Sequence, residues 1–174
     1  MDTRATTTPQ VLVDFITTVD GYASGEGWPG WWGLEGPEYL GWLAEQQESE
    51  KDFTTLMGAN TYRLYASFAA AAASAGGGMS DREAVRERKR TGTRSMRTNG
   101  SLSLCRSLLA AGLVDRFRVV LFPVITGRTG HERIYDGYPD LGLALVESRT
   151  FDGNIQLLEY VPTLISGPPQ ARPT

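Results

Sequence analysis

Residues 94–123, RSMRTNGSLSLCRSLLAAGLVDRFRVVLFP, decide how the chain folds. They read as strand, glycine turn, helix and strand. Arg94 to Thr98 is a short extended run ending in Asn99-Gly100, a pair suited to a sharp turn with positive φ. Ser101 occupies an N-cap position, and Leu104, Cys105, Leu108 and Leu109 recur with the spacing of one helical face. Gly112 follows the last periodic residue, where a glycine ends a helix. Arg116 to Val124 is a largely apolar run rich in valine and phenylalanine, as in a buried strand. Two strands joined through a helix predict a right-handed parallel crossover.

A glycine turn entering a helix presents unpaired N–H groups and the positive end of the helix dipole. Phosphate is the natural guest of such a turn, although many strand–helix turns bind nothing. The chain offers a second one. Phe53 to Met57 reads as a strand, and Gly58-Ala59-Asn60-Thr61 leads from it into a helix through Tyr65 and Phe68. Two such turns at the carboxyl ends of two strands suit a single phosphate-rich cofactor gripped at two points.

The rest of the chain fills in an α/β order. Val11 to Val19 is a strand ending in the turn pair Asp20-Gly21. Glu26 to Pro37 holds three of the four tryptophans among glycines and prolines, so its aromatics either cover the core or wall a pocket for a flat ligand. Pro37 opens a helix to about Glu48, with Tyr39, Leu40, Leu43 and Trp42 facing inward. Ser80-Asp81-Arg82-Glu83 is a capping box for a basic helix to about Arg90. Ile125 to Tyr135 reads as a loop. It carries the only histidine, His131, which has no ligand partners at metal spacing, so no metal site is expected. Leu141–Phe151 and Ile155–Val161 are strands joined by Asp152-Gly153-Asn154, a hairpin signal.

Composition bounds the function. A chain of 174 residues, 41% apolar and 21% charged, is long enough for one soluble domain with a real core. The single cysteine, Cys105, cannot form an intramolecular disulfide and reads as a small buried apolar residue. There is no membrane-length apolar run and no signal-peptide pattern, so a cytoplasmic protein is expected. Net charge −3 gives no global pull toward nucleic acid, though ten of the seventeen Lys and Arg lie between Arg82 and Arg118. The expected organisation is a disordered tail over 1–9, one domain over 10–163 with a flexible Ala/Gly linker at 69–79, and a tail over 164–174.

VLVDFITTVDGYAS, TTLMGANTYR, TNGSLSLCRSLLAAGLVDRFRVVLFPVITG and SRTFDGNIQLLEY together resemble the dihydrofolate-reductase-like superfamily. Within it the chain is similar to the branch related to the reductase domain of riboflavin biosynthesis. The resemblance implies a mixed α/β sheet with a parallel centre, an antiparallel C-terminal hairpin and flanking helices. It implies a homodimeric reductase that passes hydride from NADPH to a small flat heterocycle of pterin or pyrimidine type. Gly58, Ala59, Asn60 and Thr61 resemble the first cofactor turn. Thr98, Asn99, Gly100, Ser101, Leu102 and Ser103 resemble the pyrophosphate turn. Thr18, Asp20 and Gly21 resemble the segment beside nicotinamide and substrate. Asp20 and Glu38 are the nearest candidates for a proton donor, with a bound water as the alternative, and Asp20, Trp31 and Trp32 for substrate contact.

The chain departs from the family pattern at two places. Ala59 stands where many relatives carry a cation, and the 69–80 region is too short for the family's next strand, which helps hold the adenosine ribose phosphate. One edge strand is therefore expected to be missing. Two alternatives follow: a truncated relative that binds a ligand or partner without turnover, and a nucleic-acid binder using the basic helix.

Overall fold

The computed structural model describes residues 8–27, 32–59 and 81–167. The 69–79 linker, Trp28, Trp31, Asn60, Thr61 and Ser80 lie outside the described residues. In chain order the elements are β1 (Val11–Thr18), β2 (Tyr22–Gly25), α1 (Pro37–Ser49), β3 (Thr54–Met57), α2 (Asp81–Thr91), β4 (Met96–Asn99), α3 (Leu102–Ala110), β5 (Arg116–Phe122), β6 (Gly130–Arg133), β7 (Leu141–Phe151) and β8 (Ile155–Leu164). The main sheet has the order β3-β4-β1-β5-β8-β7. Its first four strands are parallel, and β8 and β7 close it antiparallel. Among the described residues β3 is one edge of this sheet and β7 the other.

β1 lies between β4 and β5, so the α3 crossover read from residues 94–123 passes over a strand laid down much earlier. The pleat divides the apolar residues between two layers. Val11, Val13, Phe15, Met96, Phe117 and Val119 pack with Val85 of α2 and Leu104, Cys105, Leu108 and Leu109 of α3. On the other face Val120, Phe122, Ile155, Leu157 and Phe151 pack with Tyr39 and Trp42 of α1. Trp32 also belongs to this second layer, at 2% exposure.

The α1 face carries charge at its centre. Asp14 of β1 stands in register with Arg118 of β5, whose Nη2 and Nε donate to its two oxygens at 3.0 and 3.3 Å. Arg97 of β4 donates to Asp14 from the other side. Arg118 also faces Glu159 of β8 at 3.8 Å and lies over the Trp42 ring, 5.3 Å from its centroid. Burial alone would lower the Arg118 pKa. The opposing charges of Asp14 and Glu159 outweigh it and hold the guanidinium above its ordinary value.

The structure corrects the sequence reading at three places. The expected loop around His131 contains β6, which pairs antiparallel with β2 to form a separate ribbon. Neither four-residue piece has an apolar alternation of its own, so only the pairing reveals them. Leu40 points outward at 47% exposure, while Tyr39 and Trp42 are buried. The helix is rotated by its anchor: the Asp152 carboxylate in the β7–β8 turn accepts from the N–H groups of Glu38 and Tyr39, each at 3.0 Å. The Glu38 carboxylate accepts from Asp152 N–H at 2.6 Å in return. Finally, β8 continues through Leu164, beyond the expected end at Val161.

Removing the central carboxylate leaves two guanidinium groups facing each other, with side chains only 16% and 9% exposed. Asp14→Ala is expected to lower the unfolding free energy in urea by about 3–5 kcal/mol, against less than about 0.5 kcal/mol for the exposed Glu45→Ala. A loss below about 1 kcal/mol for Asp14→Ala would show that the network carries no stability.

Candidate functional site

The parallel strands β3, β4, β1 and β5 end on one rim, the side on which open α/β sheets hold ligands. β4 leaves it through Gly100 (φ 64°) and Ser101 (φ 62°), two consecutive left-handed residues. Glycine adopts this conformation freely, whereas a left-handed serine costs about 1–2 kcal/mol. The strain is held in place by α3. Ser101 caps that helix by accepting from Leu104 N–H at 3.4 Å. The N–H groups of Leu102 and Ser103 at its first turn have no intrahelical acceptor.

The other glycine turn lies directly beside this one. Met57 pairs with Asn99, and Gly58 packs on Ser101 so closely that a Cβ at position 58 would lie 2.0 Å from Ser101 Oγ. The two turns therefore share one rim and meet through a contact that only glycine permits. Ala59 is exposed.

Two cavities open beside the turns. One, of 660 Å³, lies between the start of α3 and the β2–β6 ribbon, with Gly100 to Ser103, Arg106, Ser24 and His131 in its wall. Arg106 Nε is buried there without a hydrogen-bond partner among the described residues. The second, of 420 Å³, lies over the sheet face, with Asp14, Ile16, Thr55, Arg97, Thr98 and Asn99. Phe15, Ala23 and Gly100 line both, so the two adjoin. No cluster of metal-ligating side chains occurs among the described residues.

Comparison with known proteins agrees with this architecture. Residues 78–157 match the model of the RibD C-terminal domain. A Shewanella sp. PV-4 structure, of a protein assigned to riboflavin biosynthesis, is 17% identical with a TM-score of 0.66, over 88% of this chain and 99% of that one. A pyrimidine reductase-like protein of Corynebacterium diphtheriae is 14% identical with a TM-score of 0.61, over 89% and 92%. The dihydrofolate reductase of Enterococcus faecalis, solved with NADP(H) and RAB-propyl, is 15% identical with a TM-score of 0.54, over 89% and 97%. The fold is dihydrofolate-reductase-like. The matched segment is similar to the RibD C-terminal domain, and the three neighbours share the fold. No curated protein sequence matches the chain.

Within this dihydrofolate-reductase-like fold the expected site residues fall into three groups. Thr98 to Ser103 form the shared rim described above, with Gly58 against it. Thr18, Asp20 and Gly21 come together as a tight turn and line neither cavity. Thr18 Oγ1 donates to Asp20 at 2.6 Å and accepts from Tyr22 N–H at 3.0 Å. Thr126 N–H donates to both Asp20 oxygens at 3.2 Å, which ties the turn to the loop after β5. The slight burial of Asp20 would raise its pKa, but the hydrogen bonds from Thr18 and Thr126, with Arg133 nearby, bring it below the ordinary value. Asp20 is thus an ionised acceptor at neutral pH and not an acid.

The third group lies away from the cavities. Glu38 is held by Asp152 at the start of α1, and Trp32, the described tryptophan of the 26–37 stretch, belongs to the core and lines neither cavity. Sequence reasoning passed over Asp14, Arg97 and Arg106. A lone carboxylate inside the apolar run VLVDFI was the available signal, because a charge on a covered strand face demands partners. Arg106 was legible only as the next turn of the helix after Ser103.

Gly58→Ala is expected to destabilise the fold by about 1–3 kcal/mol through overpacking on Ser101, read by thermal or urea unfolding. Adding Ser101→Gly vacates the contact and accepts the positive φ, so the double variant should recover most of the loss. A double variant no better than Gly58→Ala alone would mean that this contact is not the cause.

Proposed function

We propose that this chain is an NADPH-dependent reductase that delivers hydride to a small flat heterocycle of pterin or pyrimidine type. The observation that carries the reading is the pair of adjoining cavities meeting at Gly100, one beside a helix N-terminus and the other over a polar sheet face. The match of residues 78–157 to the RibD C-terminal domain supports the reaction class.

The residues present suit a dinucleotide. Arg106, whose Nε is buried and unpartnered among the described residues, lines the same cavity as Gly100 to Ser103, and a guanidinium beside unpaired amides is a strong seat for pyrophosphate. When bound, NADPH supplies the hydride. Gly100 to Ser103 and Arg106 would hold its phosphates, with Gly58 keeping the turn in shape. Asn60 and Thr61, outside the described residues, belong to this reading through the resemblance alone. Thr18, Asp20 and Gly21 act by holding the β1–β2 turn against the cavity wall, where Phe15 and Ala23 exclude water and orient the ring. Asp14 and Arg97 present an acceptor and a donor to the substrate. With Asp20 ionised and Glu38 held by Asp152, the proton comes from water.

Titration of the full chain with NADPH, followed by tryptophan fluorescence and calorimetry, is expected to give micromolar binding. Arg106→Ala should weaken it about tenfold, or about 1.4 kcal/mol. Failure of NADPH to bind sinks the reading. The nucleic-acid alternative loses ground because Arg82, Lys89 and Arg90 of α2 are engaged with Ser107, Asp115 and Glu87.

The reading includes a homodimer. β7 is an 11-residue edge strand with Leu143, Leu145 and Val146 exposed at 46%, 56% and 51%. Such an edge is stabilised when a second copy covers it. Light scattering on the eluting protein is expected to give twice 19.0 kDa, and Leu145→Lys should return the single-chain mass. A single-chain mass for the unaltered protein removes this part of the proposal.

A further inference from the structure

α2 and β3 together line an open cleft of 110 Å³. Its walls are Leu56 and Met57 of β3, Ala84 and Val85 of α2, and Leu104 of α3, with Arg88 at the helix side. Met57 is in register with Asn99, and Leu104 belongs to the first turn of α3, so the cavity adjoins the Gly58–Ser101 contact. On the other side of that turn Leu102, Ser103 and Arg106 line the 660 Å³ cavity. A ligand with two ends, crossing the N-terminus of α3 by its phosphates, would have a cavity for each end.

The cations of α2 are not equivalent. Arg82 is bound to Ser107, Lys89 to Asp115 and to the Leu113 carbonyl, and Arg90 to Glu87. Arg88 is exposed, lines the cavity, and its guanidinium has no ion-pair or hydrogen-bond partner among the described residues. An apolar slot suits the faces of a purine ring, and an unpaired guanidinium at its mouth suits a phosphate dianion. A ribose phosphate is the chemical difference between NADPH and NADH, and an arginine is the usual means of accepting it. Ala59, after the first glycine turn, offers no charge for that purpose.

We propose that Arg88 is the residue that selects the phosphate-bearing adenosine, with α2 closing the cofactor's distal end against the β3 edge. This rests on the reductase reading above, and the two can fail separately. Calorimetric titration of the full chain with NADPH and with NADH is expected to show at least about a tenfold preference for NADPH. Arg88→Gln should remove most of that preference by weakening NADPH alone, with NADH binding and the far-ultraviolet circular dichroism unchanged. Arg86→Gln, which removes an exposed charge of the same helix away from the cavity, should leave the preference in place. Equal binding of the two nucleotides by the unaltered chain, or a preference that survives Arg88→Gln, overturns the assignment of Arg88 and leaves the reductase reading standing. Absence of binding by both nucleotides overturns the two together.

Discussion

The pairing of Asp14 with Arg97 and Arg118 sets the terms for the centre of this sheet. Taking three charges to a covered strand face is costly unless each finds its partner, and the partners here come from three neighbouring strands. The arrangement holds only with β1 between β4 and β5 and with Asp14 opposite Arg118. A slip of one residue would turn the carboxylate into the layer formed by Val13 and Phe15. Asp14 and Arg97 also form part of the cavity wall beside Thr98 and Asn99. Register and site chemistry are therefore one problem with one solution.

The rim above that face depends on close backbone approach. Gly58 and Ser101 touch where two parallel strands end, and the strained serine conformation persists because it also caps α3. The β2–β6 ribbon frames the larger cavity, and α2 shares a small cavity with Leu56 and Met57 of β3, the edge strand among the described residues. An apolar sheet edge is a liability in water. Arg88 of α2 lines the cavity beside that edge, and in the proposal above it becomes part of the cofactor site.

Much of the fold was legible because its signals are local. Gly100, Gly112, Asp152 and Gly153 all take positive φ where the sequence placed turns and a helix end. The runs read as strands at Val11 and Arg116 are strands, and their apolar residues supply both layers of the core. Legibility ended where a residue's role is set by something distant in the chain. Glu38 reads as a free acid until Asp152, 114 residues away, is found against it. Trp32 reads equally as core cover or pocket wall until it is seen packed in one layer with Phe122 and Phe151. The ribbon is made of two short pieces that are strands only in each other's company.

By itself the sequence determined the order of the main-sheet strands and the described helices, the turn positions and the resemblance to reductases. These follow from periodicity and turn chemistry over windows of a few residues. Only the tertiary structure decided that the two glycine turns touch, that Asp14 is shared by two arginines, and that Asp20 caps a turn as an ionised acceptor. Those outcomes depend on strand order and register, which arise from packing across the whole chain and leave no trace in local spacing.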